Sequence, residues 1–262
     1  MDSYRGTMLA VYAVAISGFV CFPQMGFAQT AIAPDHTLPV NTLVNFNSAN
    51  KTYTITGGTQ VGTNQFHSFQ DFSVPTANTA HFDNALTTTN VIGRVTGANI
   101  SDIDGTLRTN GTANLYLINP NGVIFGNHAK LDVAGSFSAS TGTSIKFSVG
   151  SEFSATNPQA PPLLQINVPL GLQYGKSNTG AAIANRGNLS TGKDLVLNSD
   201  KLDLQGHLQA GQDLILQAQD VVNLRDTAIN PLVLTSGRDM TIQGNQSVDI
   251  FALNHSQNKI LS

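Results

Sequence analysis

From Val40 to the end of the chain, apolar residues alternate with small polar ones in short segments separated by Gly, Asn and Asp. Side chains of a strand point to opposite faces with a period of two, so this alternation predicts half-buried strands. No window repeats its apolar residues every 3.6 positions, and helices should be nearly absent. Early strands are predicted within residues 43–56 (LVNFNSANKTYTIT) and 65–74, where Phe66, Phe69, Phe72 and Val74 are expected to pack the core at one end of the sheet.

The C-terminal part repeats itself. Gly187-Asn188-Leu189-Ser190-Thr191-Gly192-Lys193-Asp194-Leu195-Val196-Leu197 aligns without gaps on Gly206-His207-Leu208-Gln209-Ala210-Gly211-Gln212-Asp213-Leu214-Ile215-Leu216, a period of 19 residues. The core recurs as Gly237-Arg238-Asp239-Met240-Thr241-Ile242 after a longer interval of 26, which places a loop-bearing turn between Val221 and Ser236. A repeat of this length made of short strands fits one coil of a solenoid in which each strand pairs with its counterparts above and below. The fold class expected is therefore all-β, a right-handed parallel β-helix (a single-stranded solenoid) with extra N-terminal strands. Leu195 and Leu197 should stack on Leu214 and Leu216. Asp194, Asp213 and Asp239 should sit at coil corners, bonded to backbone N–H groups. At ~4.8 Å per coil, roughly eleven or twelve coils would make a rod about 55 Å long. Residues 247–253 still read as a strand with no obvious cap after them, which suggests the N-terminal part of a longer protein or a truncated product.

The first 28 residues change the picture of the chain's beginning. Arg5 gives a positive start, Met8 to Cys21 is an apolar run too short to span a bilayer comfortably, and Pro23 breaks it. Gly26-Phe27-Ala28 then places small residues at a cleavage site, so residues 1–28 read as a signal peptide cut between Ala28 and Gln29. Cys21, the only cysteine, falls inside that segment. Gly18-Phe19-Val20 lacks the small residue that a lipoprotein signal places beside its cysteine. A mature chain with no disulfide must hold together through its own core and ladders.

Composition narrows the function classes. Charged residues make up 11% of the chain, there is no tryptophan, and 13 basic residues face 16 acidic ones with no basic cluster. That balance supports neither nucleic-acid binding nor electrostatic membrane association. The histidines His36, His67, His81, His128, His207 and His255 lack metal-ligand spacing and are expected at surfaces or turns. No phosphate loop, nucleophile elbow or zinc motif appears, so no catalytic residue, metal or cofactor is assigned.

The most informative stretch runs from Ala113 to Thr141. Asn119-Pro120-Asn121-Gly122 is built as a tight turn: Asn caps it, Pro presets φ, and Gly suits its last position. Leu115, Leu117, Val123 and Phe125 flank it as alternating strands. Together with Asn64-Gln65-Phe66-His67-Ser68-Phe69, Gly93-Arg94-Val95-Thr96-Gly97, Ile100-Ser101-Asp102-Ile103-Asp104-Gly105, Leu131-Asp132-Val133-Ala134-Gly135-Ser136-Phe137 and Val168-Pro169-Leu170-Gly171-Leu172, the turn resembles the two-partner secretion domain of filamentous haemagglutinins and related adhesins. The resemblance covers roughly residues 38–175. A second family signature, NPNL, is present only as the fragments Asn230-Pro231-Leu232 and Asn188-Leu189.

The resemblance implies a non-catalytic exoprotein of a Gram-negative-type cell, delivered to the periplasm by the Sec machinery. There the periplasmic domains of a dedicated outer-membrane β-barrel transporter would recognise it, and the folded domain would seed a β-helix at the cell surface. It implies Asn119, Pro120, Asn121 and Gly122 as the exporter-recognition motif. A host or neighbouring-cell surface or glycan would then be the target of a secreted or surface-associated adhesin. The domain organisation expected is a signal peptide (1–28), the secretion domain (29–180) and continuing repeats (181–262). A carbohydrate-active β-helix enzyme is an alternative, because the same architecture carries such sites. The N-terminal part of a contact-delivered toxin is another.

Overall fold

The computed structural model describes residues 31–147, 151–158, 173–228, 230–253 and 259–261. The signal segment with Ala28 and Gln29, the block Val168 to Leu172 and His255 lie outside them. Among the described residues none is helical.

The strands form three faces. On the first face, parallel strands Asn64–Phe72, Asn90–Val95, Asn114–Ile118, Phe137–Ser140, Leu195–Ser199, Leu214–Ala218 and Met240–Gly244 stack in chain order. The second face runs Ser101–Ile103, Val123–Phe125, Ala182–Asn185, Lys201–Leu204, Val221–Arg225 and Ser247–Phe251. The third holds Thr79–Phe82, Thr106–Thr109 and Lys130–Asp132, then Asn188–Thr191, His207–Ala210, Val233–Ser236 and Lys259–Leu261. The chain visits the faces in turn, so Phe137–Ser140 pairs with Asn114–Ile118 one level on. This is a parallel β-helix, and the alternation in the sequence is what closes it. Inward positions such as Val91, Leu115, Phe137, Leu195 and Leu214 share one register line and are buried. The predicted stacking of Leu195 on Leu214 and Leu197 on Leu216 is observed.

The coil number differs from the expectation. Seven parallel strands stand on the first face among the described residues, six spacings or ~29 Å of rod, not eleven or twelve coils. The 19-residue period joins only the coils of Asp194 and Asp213. Earlier corners lie 26, 24 and 22 residues apart, and 58 separate Ser136 from Asp194. The long interval arises because the chain leaves the coil after Thr141 and rejoins it at Ala182. In that excursion Ser144–Lys146 pairs antiparallel with Glu152–Ser154 and with Gln173–Tyr174.

This flap covers the outer side of the first face. Ile145, Phe147, Phe153 and Ala155 pack on Phe66, Ile92, Ile118, Val61 and Leu38 as a second core, separate from the coil interior. Every residue of Asn90–Val95 is consequently buried, whichever way its side chain points. At the N-terminal end, Ile32–Pro34 and Thr59–Val61 add antiparallel to Asn64–Phe72, and the hairpin Thr42–Asn47 with Thr52–Gly57 extends the third face. Antiparallel additions of this kind blunt the open edge of a parallel stack.

The early phenylalanines serve both cores. Phe69, Phe72 and Val74 enter the coil interior, whereas Phe66 points outward under the flap. Strict alternation would put Phe69 and Phe72 on opposite faces. A register shift against Ala33 and Pro34 leaves Gln70 unpaired there, and this bulge returns Phe72 to the interior.

Candidate functional site

Asn119-Pro120-Asn121-Gly122 turns the chain from the first face to the second. Gly122 N donates to the Asn119 carbonyl (3.1 Å), closing a β-turn, and Asn121 N donates to Asn119 Oδ1 (3.0 Å), the side-chain cap expected from the sequence. The turn is also tied to neighbouring coils. Asn119 Nδ2 donates to the Asn99 carbonyl (3.0 Å) and to Ser101 Oγ (2.9 Å), while Asn121 Nδ2 donates to the Gly97 carbonyl (2.7 Å). Asn119 N donates to the Ser140 carbonyl in the next coil (3.0 Å), and Asn178 Nδ2 donates to the Pro120 carbonyl (3.0 Å). Gly122 has φ 129° and a Cβ there would stand 3.0 Å from the Ala182 carbonyl, so only glycine fits without strain. Asn119, Pro120 and Gly122 are buried and Asn121 is half-buried. In the folded domain the motif is an internal corner, and little of it can be touched from outside.

A second corner device runs the length of the rod. Asn90 Nδ2 donates to Asn64 Oδ1 (2.7 Å), Asn114 Nδ2 to Asn90 Oδ1 (2.9 Å), and Ser136 N to Asn114 Oδ1 (2.9 Å). Ser136 Oγ donates to Asp194 Oδ2 (3.0 Å), Asp213 N to Asp194 Oδ1 (3.2 Å), and Asp239 N to Asp213 Oδ1 (3.2 Å). Asp194 and Asp213 therefore sit at coil corners with their carboxylates on backbone N–H groups, as their repeat positions implied, while Asp239 contributes its own N–H to Asp213. Arg238 adds a two-pronged contact to Asp213 (3.0 and 2.7 Å). The asparagine half of this line was not visible as a repeat, because its spacing changes from coil to coil.

His67 corrects the expectation that the histidines lie at surfaces or turns. It faces inward, opposite Gly93 and beside Gly58, is 1% exposed, and packs against Phe69 and Phe82. Its Nδ1 lies 3.3 Å from Thr42 Oγ1. Burial disfavours the imidazolium and pushes its pKa down to about 3. The two small residues that make room for the ring are the signal a sequence reading could have used.

A groove of about 550 Å³ opens beside the second face, lined by Ser73, Thr76, Asp102, Asp104, Asn127 and Arg186 among others. Its best-held carboxylate is committed structurally. Asp104 accepts from His128 N (2.9 Å), from the His128 ring (2.9 Å) and from the Thr76 hydroxyl. Burial raises its pKa, but the hydrogen bonds from Thr76 and His128 outweigh that and hold it below the usual carboxylate range. A glycosidase general acid needs the opposite shift. No group of three or more His, Cys, Asp or Glu residues among the described residues could hold a metal ion.

The TPS secretion domain family matches residues 30–262. No curated protein matches the chain by sequence. Among solved structures, the HMW1 secretion domain from Haemophilus influenzae aligns at 14% identity, covering 84% of this chain and 86% of that one, with a TM-score of 0.35. With a family match extending over both the early coils and the later repeats, the chain belongs to the TPS secretion domain family, the exoproteins of two-partner secretion exported through a partner transporter.

Proposed function

We propose that this domain is an export address read while the chain is open, and that Asn119, Pro120, Asn121 and Gly122 form part of what the transporter's periplasmic domains read. The observation that supports reading before folding is the burial of the motif: a side chain as enclosed as Asn119 offers a partner nothing once the corner has formed. The wider reading follows the family. The chain enters the periplasm behind a signal peptide cut between Ala28 and Gln29, passes an outer-membrane β-barrel, and folds outside as an adhesin-like surface protein. Residues 29–180 carry the address, and the repeats from about 181 continue the rod.

The same burial gives Asn119 a structural role, so secretion alone does not separate address from fold. The test pairs two measurements on Asn119→Ala and Asn121→Ala: partition between culture medium and periplasm in cells with the partner barrel, and thermal stability of the purified chain. Removing Asn119 leaves the Asn99 carbonyl and Asn121 N–H without a partner and is expected to cost ~1–3 kcal/mol. An address role predicts that Asn121→Ala, the less enclosed of the two, loses secretion out of proportion to its lost stability. Secretion that tracks stability in both variants, or is unchanged, would remove the motif from the address.

A further inference from the structure

Arg94 is the largest fully buried side chain in the described structure, and it stands on the outward side of the first face, in register with Ser68 and Ile118. Three distant stretches of chain meet around it. Its Nε donates to Ser68 Oγ (2.8 Å) in the preceding coil. Its Nη2 donates to Thr37 Oγ1 (2.9 Å), 57 residues earlier, and its Nη1 to the Ser154 carbonyl (2.8 Å), 60 residues later. The guanidinium carbon lies 4.1 Å from the Phe153 ring centroid.

Asp35 supplies the countercharge through the same hydroxyls. Its carboxylate accepts from Ser68 Oγ (2.6 Å), Thr96 Oγ1 (2.7 Å), Thr37 Oγ1 (2.9 Å) and Thr37 N (3.0 Å). Burial pushes Arg94 down to about 10 against the pull of Asp35, so it stays charged at neutral pH.

The order of assembly follows from where water is. Before the flap docks, the guanidinium faces solvent and is hydrated at no cost. Phe153 and Ser154 strip that water when they arrive, and burying a cation is tolerable only if its countercharge and acceptors are already in place. Asp35 and Thr37, just beyond the N-terminal strand Ile32–Pro34, provide them. We propose that Arg94 couples the N-terminal segment to the flap, so that Ser144–Lys146 and Glu152–Ser154 seat only after Asp35 and Thr37 have been laid beside the guanidinium. The consequence in cells rests on the export reading: a transporter that holds the start of the mature chain also holds the flap open, and the outer layer closes on release.

Hydrogen exchange on the purified chain tests the coupling without any exporter. Asp35→Asn should speed exchange of the amides in Ser144–Lys146 and Glu152–Ser154 by roughly tenfold or more, while Leu214–Ala218 is unmoved. In an Arg94→Met background, where no cation is buried, the same substitution should change flap exchange less than about threefold. Flap exchange that ignores Asp35→Asn, or rises equally in both backgrounds, overturns the proposal. Should Arg94→Met fail to fold, pulse-labelled refolding of the unmutated chain decides: the pairing of Ile32–Pro34 with Asn64–Phe72 should be protected before or together with the flap, and a flap protected first overturns it. Partner-dependent secretion of the unmutated chain is a separate measurement, so the export reading and the Arg94 coupling can fail independently.

Discussion

Strand Asn90–Val95 is buried at every position, whereas Leu214–Ala218, four coils later on the same face, alternates buried and half-buried residues. The first strand lies between two cores, the coil interior and the flap layer; the second has the interior on one side and solvent on the other. The corners differ as well, with asparagine amides bonding to each other before the flap and aspartates holding backbone N–H groups after it. The early coils are thus built like a globular domain, with the N-terminal strands, the first face and the flap closing over one another. The later coils are built like a repeat array, each contacting chiefly its neighbours. The early coils should then open as one cooperative unit and the later ones coil by coil.

The most direct way to break this contrast is to place equivalent cavities in the two parts. Phe137 is fully buried, meets Phe125 edge to face with centroids 5.9 Å apart, and lies in the coil just before the flap. Phe137→Ala should cost ~3–5 kcal/mol and raise amide exchange throughout residues 32–155. Leu216→Ala, also fully buried, should cost ~2–5 kcal/mol, but its effect should be confined to the coils around Leu195–Ser199, Leu214–Ala218 and Met240–Gly244. If the leucine substitution opened the early coils to the same extent, the two parts would be one cooperative unit and the contrast would fail.

Acid should act on the early part first. The folded His67 pKa of about 3 lies well below the unfolded value of 6.5. Between these values the unfolded chain binds a proton that the folded one refuses, so stability is full above pH 6.5 and falls as pH drops toward 3. The slope is about 1.4 kcal/mol per pH unit in the middle of that window. Unfolding curves at pH 7, 5 and 4 should show this loss, and His67→Gln should flatten it. An unchanged slope in the variant would place the acid sensitivity elsewhere.

How much of this was legible depends on which side of a strand a residue occupies. The inward leucines at 195, 197, 214 and 216 announce themselves, because one buried side and one wet side produce alternation and a repeat. Ile92, Ile118 and Phe66 look like breaks in that alternation, since their burial comes from Phe147 and Phe153 some thirty to ninety residues away, and local pattern carries no trace of a layer added from a distance. Arg94 reads as a surface charge for the same reason. The excursion that supplies the layer also consumes chain, which is why a coil count based on 19 residues overshot. The turn at Asn119 to Gly122 was readable as a turn from its residue types, but its burial was not, because that depends on Asn99 and Ser101 arriving from another coil and on Asn178 arriving from the end of the excursion.

The smallest expected effect lies at the aspartate corners. Asp213 is held below the usual carboxylate range by the Asp239 N–H and then by the Arg238 guanidinium, against a small opposing effect of burial. Asp213→Asn keeps an oxygen for the Asp239 N–H and loses the charge that draws Arg238 in (2.7 Å). Arg238 and Asp213 are both partly exposed, and exposed pairs contribute little and are screened by salt. The unfolding midpoint should therefore hardly move. Amide exchange in Met240–Gly244 should rise slightly, and high salt should bring the unmutated chain close to the variant. The leucine stack, not the corner charge, would then set the stability of the repeat array. A clear fall in midpoint, persisting in high salt, would reverse that order: the later coils would depend on their polar corners as the early coils depend on Asn64, Asn90 and Asn114, and the difference between the two parts would reduce to the flap alone.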